Sequence, residues 1–286
     1  MKSWLKHTLS IAVTLVYTVF VTTSCVQSDL NTPMLVDKEV EVMFNAAIVD
    51  DIATRAWDGR NIDKLYVELY CENNQIGNRH VYDVTDGKID SFSINLIHGQ
   101  TYTAVFWAQN SSCTAYDISN FKAISIYNNT NTNFENIANS DAFYDSCIFT
   151  VNDNTLKNGV DVQLIRPFAL VIAGTDIENF DITSTISTSL TIKNIADTFN
   201  AVSGTTGVTA EEYNDRTFNF IPDGTTIPGK DNQVMLGIAY VLPKNVSTSI
   251  VISTTVGSQT KQTTVNLDKL EGNKRYNIIG NLLPMN

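Results

Sequence analysis

The chain has 286 residues and a formal net charge of −11 at pH 7, a length that accommodates one large or two ordinary domains, each with its own core. Its basic residues form no cluster, so it lacks the electrostatic surface of a nucleic-acid-binding protein and the polybasic patch that binds anionic lipid. Its four cysteines are too few for a disulfide-dense scaffold.

Residues 1–24 have the three parts of a secretory signal peptide. Two lysines lead into residues 9–21, an uncharged and mostly apolar stretch that is too short for a bilayer-spanning helix. The small residues 22–24 follow, directly before Cys25. We therefore expect the protein to be exported.

Cys25, placed directly after small residues, resembles the lipobox cysteine of bacterial lipoproteins, which becomes acylated. The chain departs from that pattern at Thr22, where Leu or Val is usual. The alternative is ordinary secretion with an incidental cysteine. We predict a lipid on Cys25 that anchors the protein in the outer membrane, and a polar tether over residues 25–37.

Most apolar segments of the remaining chain alternate with polar residues at a period of two, the pattern of a β-strand with one buried face. Residues 39–44 and 101–108 are the clearest cases. Residues 168–173 and 234–242 are apolar on both faces, as in a central strand. The residues predicted at the core of these central strands are Phe168, Leu170, Ile172, Leu236 and Ile238.

Further strands are predicted over 160–164, 250–256, 261–267 and 275–283, and short helical turns over 118–123 and 208–216. This pattern predicts an all-β fold built from sandwiches. The polar stretch 152–159 is the best candidate for a domain boundary. It divides the chain into an N-terminal sandwich over 38–158 and a C-terminal sandwich over 159–286.

Motifs of catalysis are missing from the sequence. After residue 24 the chain has two histidines, His80 and His98, in unrelated contexts. A multi-histidine metal site is thereby excluded, and a His-based triad would need one of these two. The adjacent acids Asp50 and Asp51 could hold calcium, but such a pair is more typical of a solvated turn. We predict no catalytic residue, metal or cofactor.

Trp57 and Trp107 are the tryptophans that remain after residue 24. We interpret them as core or sheet-edge residues, with a sugar-stacking platform as the alternative. Cys71 and Cys147 alternate with apolar neighbours and are interpreted as small buried hydrophobic residues, with a Cys71–Cys147 bridge as the alternative. With Cys113 there are three cysteines after Cys25, and because a disulfide uses two, at least one of the three thiols stays free.

Three pieces of sequence occur in a characteristic order. The first is the lipoprotein-like signal and tether, with an early strand followed by Ala-Thr-Arg-Ala at residues 53–56. The second comprises the strand segments 65–70 and 102–108. The third is Leu-Ile-Arg-Pro-Phe-Ala at residues 164–169, with a closing segment at 275–283. In this order they resemble the fimbrillins of the Bacteroidales, the subunits of type V pili, and the related fimbrillin-like lipoproteins, over essentially the whole chain.

The resemblance implies two transthyretin-like β-sandwich domains and a structural or adhesive role at the cell surface without enzymatic activity. It also implies export as a lipoprotein, then cleavage after Arg55. Cleavage would remove the strand at 39–44, and another pilus subunit would supply a replacement strand. Alternatively, Arg55 is a surface residue of a permanently lipidated protein.

The closing segment departs from the stalk subunits of that family, which carry a C-terminal extension as donor strand. Residues 275–283 are here either the donor or the last strand of the sandwich with no donor to spare. The alternative to a fimbrillin-like pilus subunit is a surface lipoprotein that binds a glycan or a host protein without polymerising. A third hypothesis is a hydrolase, which would need convergent carboxylates or a Ser–His pair. The sequence does not identify a ligand.

The substitution Cys25→Ala tests the anchor. Since the acyl chains would provide the membrane affinity, the variant is expected to leave the membrane fraction or to stall before signal cleavage. Fractionation in the absence of detergent, followed by immunoblotting, measures this. A variant that stays with membranes as the parent does, at the parent's mass, would contradict lipidation at Cys25.

Overall fold

The computed structural model describes residues 38–49, 61–126, 139–181, 183–207 and 215–284. These residues form an almost entirely β structure, which confirms the predicted all-β class. Among them, no helix is long and apolar enough to cross a bilayer.

The elements of the described chain are as follows. The strands are β1 (Glu39–Ile48), β2 (Lys64–Cys71), β3 (Asn74–Asp83), β4 (Phe92–Ile97), β5 (Thr101–Gln109), β6 (Tyr116–Asp117), β7 (Ile124–Ile126), β8 (Ala142–Thr150), β9 (Val160–Leu164), β10 (Ala169–Asp176), β11 (Ile186–Ile192), β12 (Ile195–Ala196), β13 (Thr198–Asn200), β14 (Thr205–Gly207), β15 (Arg216–Phe220), β16 (Thr226–Ile227), β17 (Lys230–Pro243), β18 (Thr248–Val256), β19 (Gln259–Leu267) and β20 (Arg275–Ile279). One helix, α1 (Asp153–Asn158), and one 3₁₀ turn (Ile177–Asn179) accompany them.

The strands of the described residues form five sheets. Two come mainly from the first half of the chain, with the orders β4-β1-β9 and β3-β2-β5-β8. Two come from the second half, with the orders β12-β17-β10-β20 and β15-β11-β18-β19, and β16 pairs with β17. The small sheet β6-β7-β13-β14 takes strands from both halves. Most neighbours are antiparallel, whereas β9 on β1 and β20 on β10 are parallel.

The sheet β3-β2-β5-β8 lies between two hydrophobic cores. On β5, Ala104 and Phe106 face the smaller core, which β1, β4 and β9 close from the other side. The intervening residues Val105 and Trp107 belong to the larger core of the second half. The sequence pattern identified the first of these faces. The second was missed because alternation alone does not reveal that both faces of a strand are covered.

The larger core contains the central strands β10 and β17. All five residues predicted there are buried, which confirms that part of the prediction. At Gly237 the chain needs the absence of a side chain, since an added Cβ would lie 2.9 Å from the ring of Phe220. Close approach of β15 to β17 therefore depends on this glycine.

The short helix α1 lies within the polar stretch 152–159, where no helix was predicted. Asn152 accepts hydrogen bonds from the backbone N–H groups of Asn154 and Thr155 at 3.0 and 3.1 Å, which is the arrangement of a helix N-cap. Gly159 ends the helix with a φ of +78°. Conversely, residues 118–123 form a loop with a turn at residues 121–122, where a helical turn was predicted. Residues 208–214 lie outside the described part.

Strand β9 follows the predicted domain boundary directly. It pairs in parallel with β1, from Phe44↔Val160 to Ile48↔Leu164, so the smaller core takes a strand from beyond residue 158. A polar stretch reveals a break between strands but not which sheet the next strand joins. The division into two sandwich domains at residue 158 stays a prediction.

The chain passes from the smaller to the larger core between β9 and β10, and a buried ion pair fixes this link. The guanidinium of Arg166 donates to both carboxylate oxygens of Asp141 at the start of β8, with Nε–Oδ1 and Nη2–Oδ2 distances of 2.8 Å. Each side chain is 2% exposed. The guanidinium also lies over the ring of Phe143, 4.5 Å from its centroid. Two backbone hydrogen bonds between Tyr144 and Ile165, of 2.9 and 3.0 Å, complete the link.

Removing one partner of this pair is expected to be costly. Arg166→Met leaves the carboxylate of Asp141 buried without its cation, so the free energy of unfolding should fall by about 3–5 kcal/mol. The double variant Arg166→Met/Asp141→Leu should lose less than the single variant. Chemical unfolding measures the stability of both variants. The control is Lys64→Met, which removes an exposed partner of Asp83 and should have a free energy of unfolding close to that of the parent. A single variant as stable as that control would contradict the role of the pair.

For two buried threonine hydroxyls we predict that a substitution raises the free energy of unfolding. Thr188 and Thr254 are cross-strand neighbours on β11 and β18, and neither hydroxyl has a hydrogen-bond partner among the described residues. A buried unpaired polar group costs roughly 1–3 kcal/mol, so Thr188→Val and Thr254→Val should each raise the free energy of unfolding. Thr191→Val is the control, because the Thr191 hydroxyl bonds that of Thr217 at 2.8 Å. Destabilisation by both test substitutions would show that these hydroxyls are paired.

Candidate functional site

Several residues singled out in the sequence fall outside the described ranges. These are the tether and the residues Cys25, Asp50, Asp51, Arg55 and Trp57. Lipidation at Cys25 and cleavage after Arg55 therefore stay predictions.

Trp107 is a core residue and not a sugar platform. Its side chain is fully buried, and its indole N–H donates to Oε1 of Gln109 at 2.7 Å. Its ring meets that of Phe168 edge to face, with centroids 6.3 Å apart. This supports the core interpretation of Trp107 and excludes stacking of this residue on a ligand.

Cys113 and Cys147 are free thiols, so the alternative of a Cys71–Cys147 bridge is wrong. Burial raises the pKa of the Cys147 thiol to about 12, with Asp145 adding to the shift. Burial also raises the pKa of Cys113. Both thiols are therefore protonated at neutral pH and unsuited to act as nucleophiles.

Within the described ranges, no three His, Cys, Asp or Glu side chains are placed to hold a metal ion. The ring of His80 lies beside that of Tyr82, with centroids 6.4 Å apart. His98 is 3.5 Å from the carboxylate of Asp153 at the start of α1. The two histidines thus occupy separate environments. The expected absence of a catalytic centre and of a cofactor stays a prediction.

The position of β1 is the structural feature that bears most directly on assembly. Its first half pairs with β4, from Glu39↔Ile97 to Phe44↔Phe92, and its second half pairs with β9. Both edges of β1 are thereby hydrogen-bonded. We call the space that β1 fills between β4 and β9 the β1 slot.

The inner wall of the β1 slot is apolar and accepts alternate side chains of the strand. Val42 and Phe44 are 0% exposed, and Ala46 is also buried. The ring of Phe44 lies 5.5 Å from that of Phe92 and 5.6 Å from that of Phe149, between centroids. Phe44 is therefore the main apolar anchor of β1, since a buried aromatic side chain contributes most to such a contact.

The outer face of β1 is mostly exposed, and it is polar apart from Met43 and Ala47. Met43, next to Phe44, is 54% exposed. Glu41 accepts a hydrogen bond from the hydroxyl of Ser93, and Asn45 donates to Asp161 at 3.1 Å. The adjacent residues Phe44 and Met43 should therefore contribute very differently to the binding of β1 in its slot.

Loss of β1 would expose more than an apolar surface. Among the described strands, β4 pairs only with β1, so its N–H and C=O groups on that side would lose their partners. Each buried backbone group left unpaired costs roughly 1–3 kcal/mol. An open β1 slot is therefore a strong acceptor for any strand with matching alternation.

The structure resembles solved structures of Bacteroides proteins. A candidate cell adhesion protein of Bacteroides uniformis matches over 84% of this chain and 93% of its own, at 15% identity and a TM-score of 0.52. Candidate polysaccharide binding proteins of Bacteroides thetaiotaomicron match over 83% and 90%, at 12% identity and a TM-score of 0.50. These two likenesses show a shared fold.

The fimbrial anchor protein Mfa2 of Porphyromonas gingivalis matches over 76% of this chain and 78% of its own, at 11% identity and a TM-score of 0.46. No curated protein matches the sequence. The sequence pattern of a family of unknown function, DUF6562, matches residues 33–286. The chain belongs to this family.

Proposed function

We propose that this protein is a non-enzymatic structural or adhesive subunit of the bacterial surface, exported as a lipoprotein and assembled by strand complementation in the manner of a fimbrillin. Its fold, shared with a candidate cell adhesion protein and candidate polysaccharide binding proteins of Bacteroides, supports a surface role. The signal-like residues 1–24 and Cys25 support export and anchoring at the outer membrane.

The β1 slot carries the assembly part of the proposal. β1 ends at Ile48 and β2 begins at Lys64, and Arg55 lies between them in the sequence. Cleavage after Arg55 would break the peptide chain between β1 and β2. The strand could then leave, and the apolar wall and unpaired edge of β4 would drive binding of a neighbour's strand.

The C-terminal strand favours an accepting role for this chain. β20 pairs in parallel with β10, from Leu170↔Arg275 to Gly174↔Ile279. It is thus engaged in the sheet of its own chain, which supports the second of the two alternatives for residues 275–283. Donation of β20 to a neighbour would first require the loss of this pairing.

The second candidate is a surface lipoprotein that keeps β1 and binds a glycan or a host protein as a monomer. The complete burial of Val42 and Phe44 favours this function for the uncut chain. The two candidates differ in the fate of β1, which makes strand exchange the decisive measurement.

Peptide complementation tests the β1 slot. A variant lacking residues 1–55 should be aggregation-prone by light scattering, and a synthetic peptide of residues 38–49 should bind it and raise its melting temperature. The matched peptides Phe44→Ala and Met43→Ala differ at adjacent positions. Deletion of the buried ring costs about 3–5 kcal/mol, so the first should bind at least about a hundredfold more weakly, and the second nearly as well as the parent peptide. Equal binding by these two peptides would contradict the proposal.

Arg55→Ala tests cleavage in the cell. The variant should persist as a lipidated monomer and stay out of fibres, because β1 remains attached and fills its slot. Size fractionation of sheared surface material with immunoblotting measures this. If the variant enters high-mass fibres as the parent does, the monomeric lipoprotein is the better assignment.

A further inference from the structure

A cleft of about 320 Å³ lies beside the link between β9 and β10. It forms where the start of β8, residues 165–167, the β13–β14 hairpin, the loop after β17 and residues 270–272 meet. We call it the Tyr144 cleft. Its volume is at the lower end of the range of small-molecule sites.

One side of the Tyr144 cleft is apolar. Tyr144 is half-buried, and its ring is held edge to face against Phe199, with centroids 4.6 Å apart. Ile165, which is 38% exposed, and Pro243 continue this wall. Together they present a surface of ring and aliphatic carbon atoms.

Polar groups with unused hydrogen-bonding capacity line the same cleft. The hydroxyl of Tyr144 has no hydrogen-bond partner among the described residues, and an added Cβ on Gly204 would lie 3.1 Å from its oxygen. This glycine therefore leaves the hydroxyl accessible. The carboxamide of Asn245, which is exposed, also has no partner within the described chain.

Glu271 supplies the one carboxylate among the cleft residues. Its side chain pairs with Lys274 and with Lys269, the latter at 3.2 Å. Hydrogen bonds from Lys274 and Lys269 lower the pKa of Glu271, so the carboxylate is ionised at neutral pH and can accept hydrogen bonds from adjacent hydroxyls.

From this arrangement we propose that the Tyr144 cleft binds a neutral saccharide. A sugar ring presents a patch of C–H groups on one face and hydroxyls at its edge. The wall of Tyr144 and Pro243 fits the C–H patch, and the phenol, carboxamide and carboxylate fit the hydroxyls. A single carboxylate among the lining residues suits binding, since glycoside hydrolysis generally uses two.

The charges around the Tyr144 cleft favour a neutral ligand. Arg166 lines it, but its guanidinium is neutralised by Asp141. The two lysines are likewise paired with Glu271. The protein as a whole is strongly acidic, which disfavours polyanions. This inference goes beyond the proposed assembly role, because no residue that lines the cleft lies on β1 or β4.

Affinity electrophoresis of the purified full chain tests the proposal. The gels would contain dextran, mannan, galactomannan or soluble starch as neutral polysaccharides, and polygalacturonate as the charged comparison. At least one neutral polysaccharide should retard the protein. Tyr144→Phe and Glu271→Gln each remove one hydrogen-bonding group or charge, so each should weaken this binding about tenfold.

The controls are Tyr82→Phe and Glu178→Gln, the same changes at positions outside the cleft, and they should migrate as the parent does. The proposal is overturned if no neutral polysaccharide retards the parent, if only polygalacturonate does, or if the cleft variants and the controls bind equally. Since all these variants keep β1 and Arg55, either result leaves the test of strand exchange unaffected.

Discussion

The ion pair of Arg166 and Asp141 fixes the point on which both candidate sites depend. It holds the start of β8 against the link between β9 and β10. The end of β9 is one boundary of the β1 slot, and residues 165–167 border the Tyr144 cleft. A buried pair of this kind contributes little net stability compared with apolar residues. Its bidentate geometry joins the two segments through three hydrogen bonds of 2.8–3.0 Å.

The sequence predicted best those strands that have one buried and one exposed face. β1 is an example, since Val42 and Phe44 alternate with Glu41 and Met43 and the structure buries the first pair. The continuous apolar runs of β10 and β17 were equally informative, because only a central strand buries both faces. In these cases local composition and tertiary burial point to the same conclusion.

Other features depend on contacts between distant parts of the chain, and local pattern contains no information on these. Val105 and Trp107 are buried because a second core covers their side of β5. The parallel pairing of β9 with β1 joins residues more than a hundred positions apart. The Tyr144 cleft likewise draws its residues from separate loops. Arg166 belongs to the Leu-Ile-Arg-Pro-Phe-Ala motif of residues 164–169, whereas its partner Asp141 lies in no recognisable motif.

The two proposals concern different parts of the protein. Strand exchange would take place at the β1 slot, and a saccharide would bind at the Tyr144 cleft. Exchange of β1 would leave the larger core and its sheets in place, because β1 packs only in the smaller core.

The N-terminus of the protein in its native cell envelope tests the central claim most directly. Mass spectrometry of surface fibres sheared from cells would identify it. Exchange of β1 predicts a chain that begins at Ala56, without acyl groups. A surface protein that always begins at an acylated Cys25 and retains the residues up to Arg55 would contradict strand exchange and establish a permanent lipoprotein.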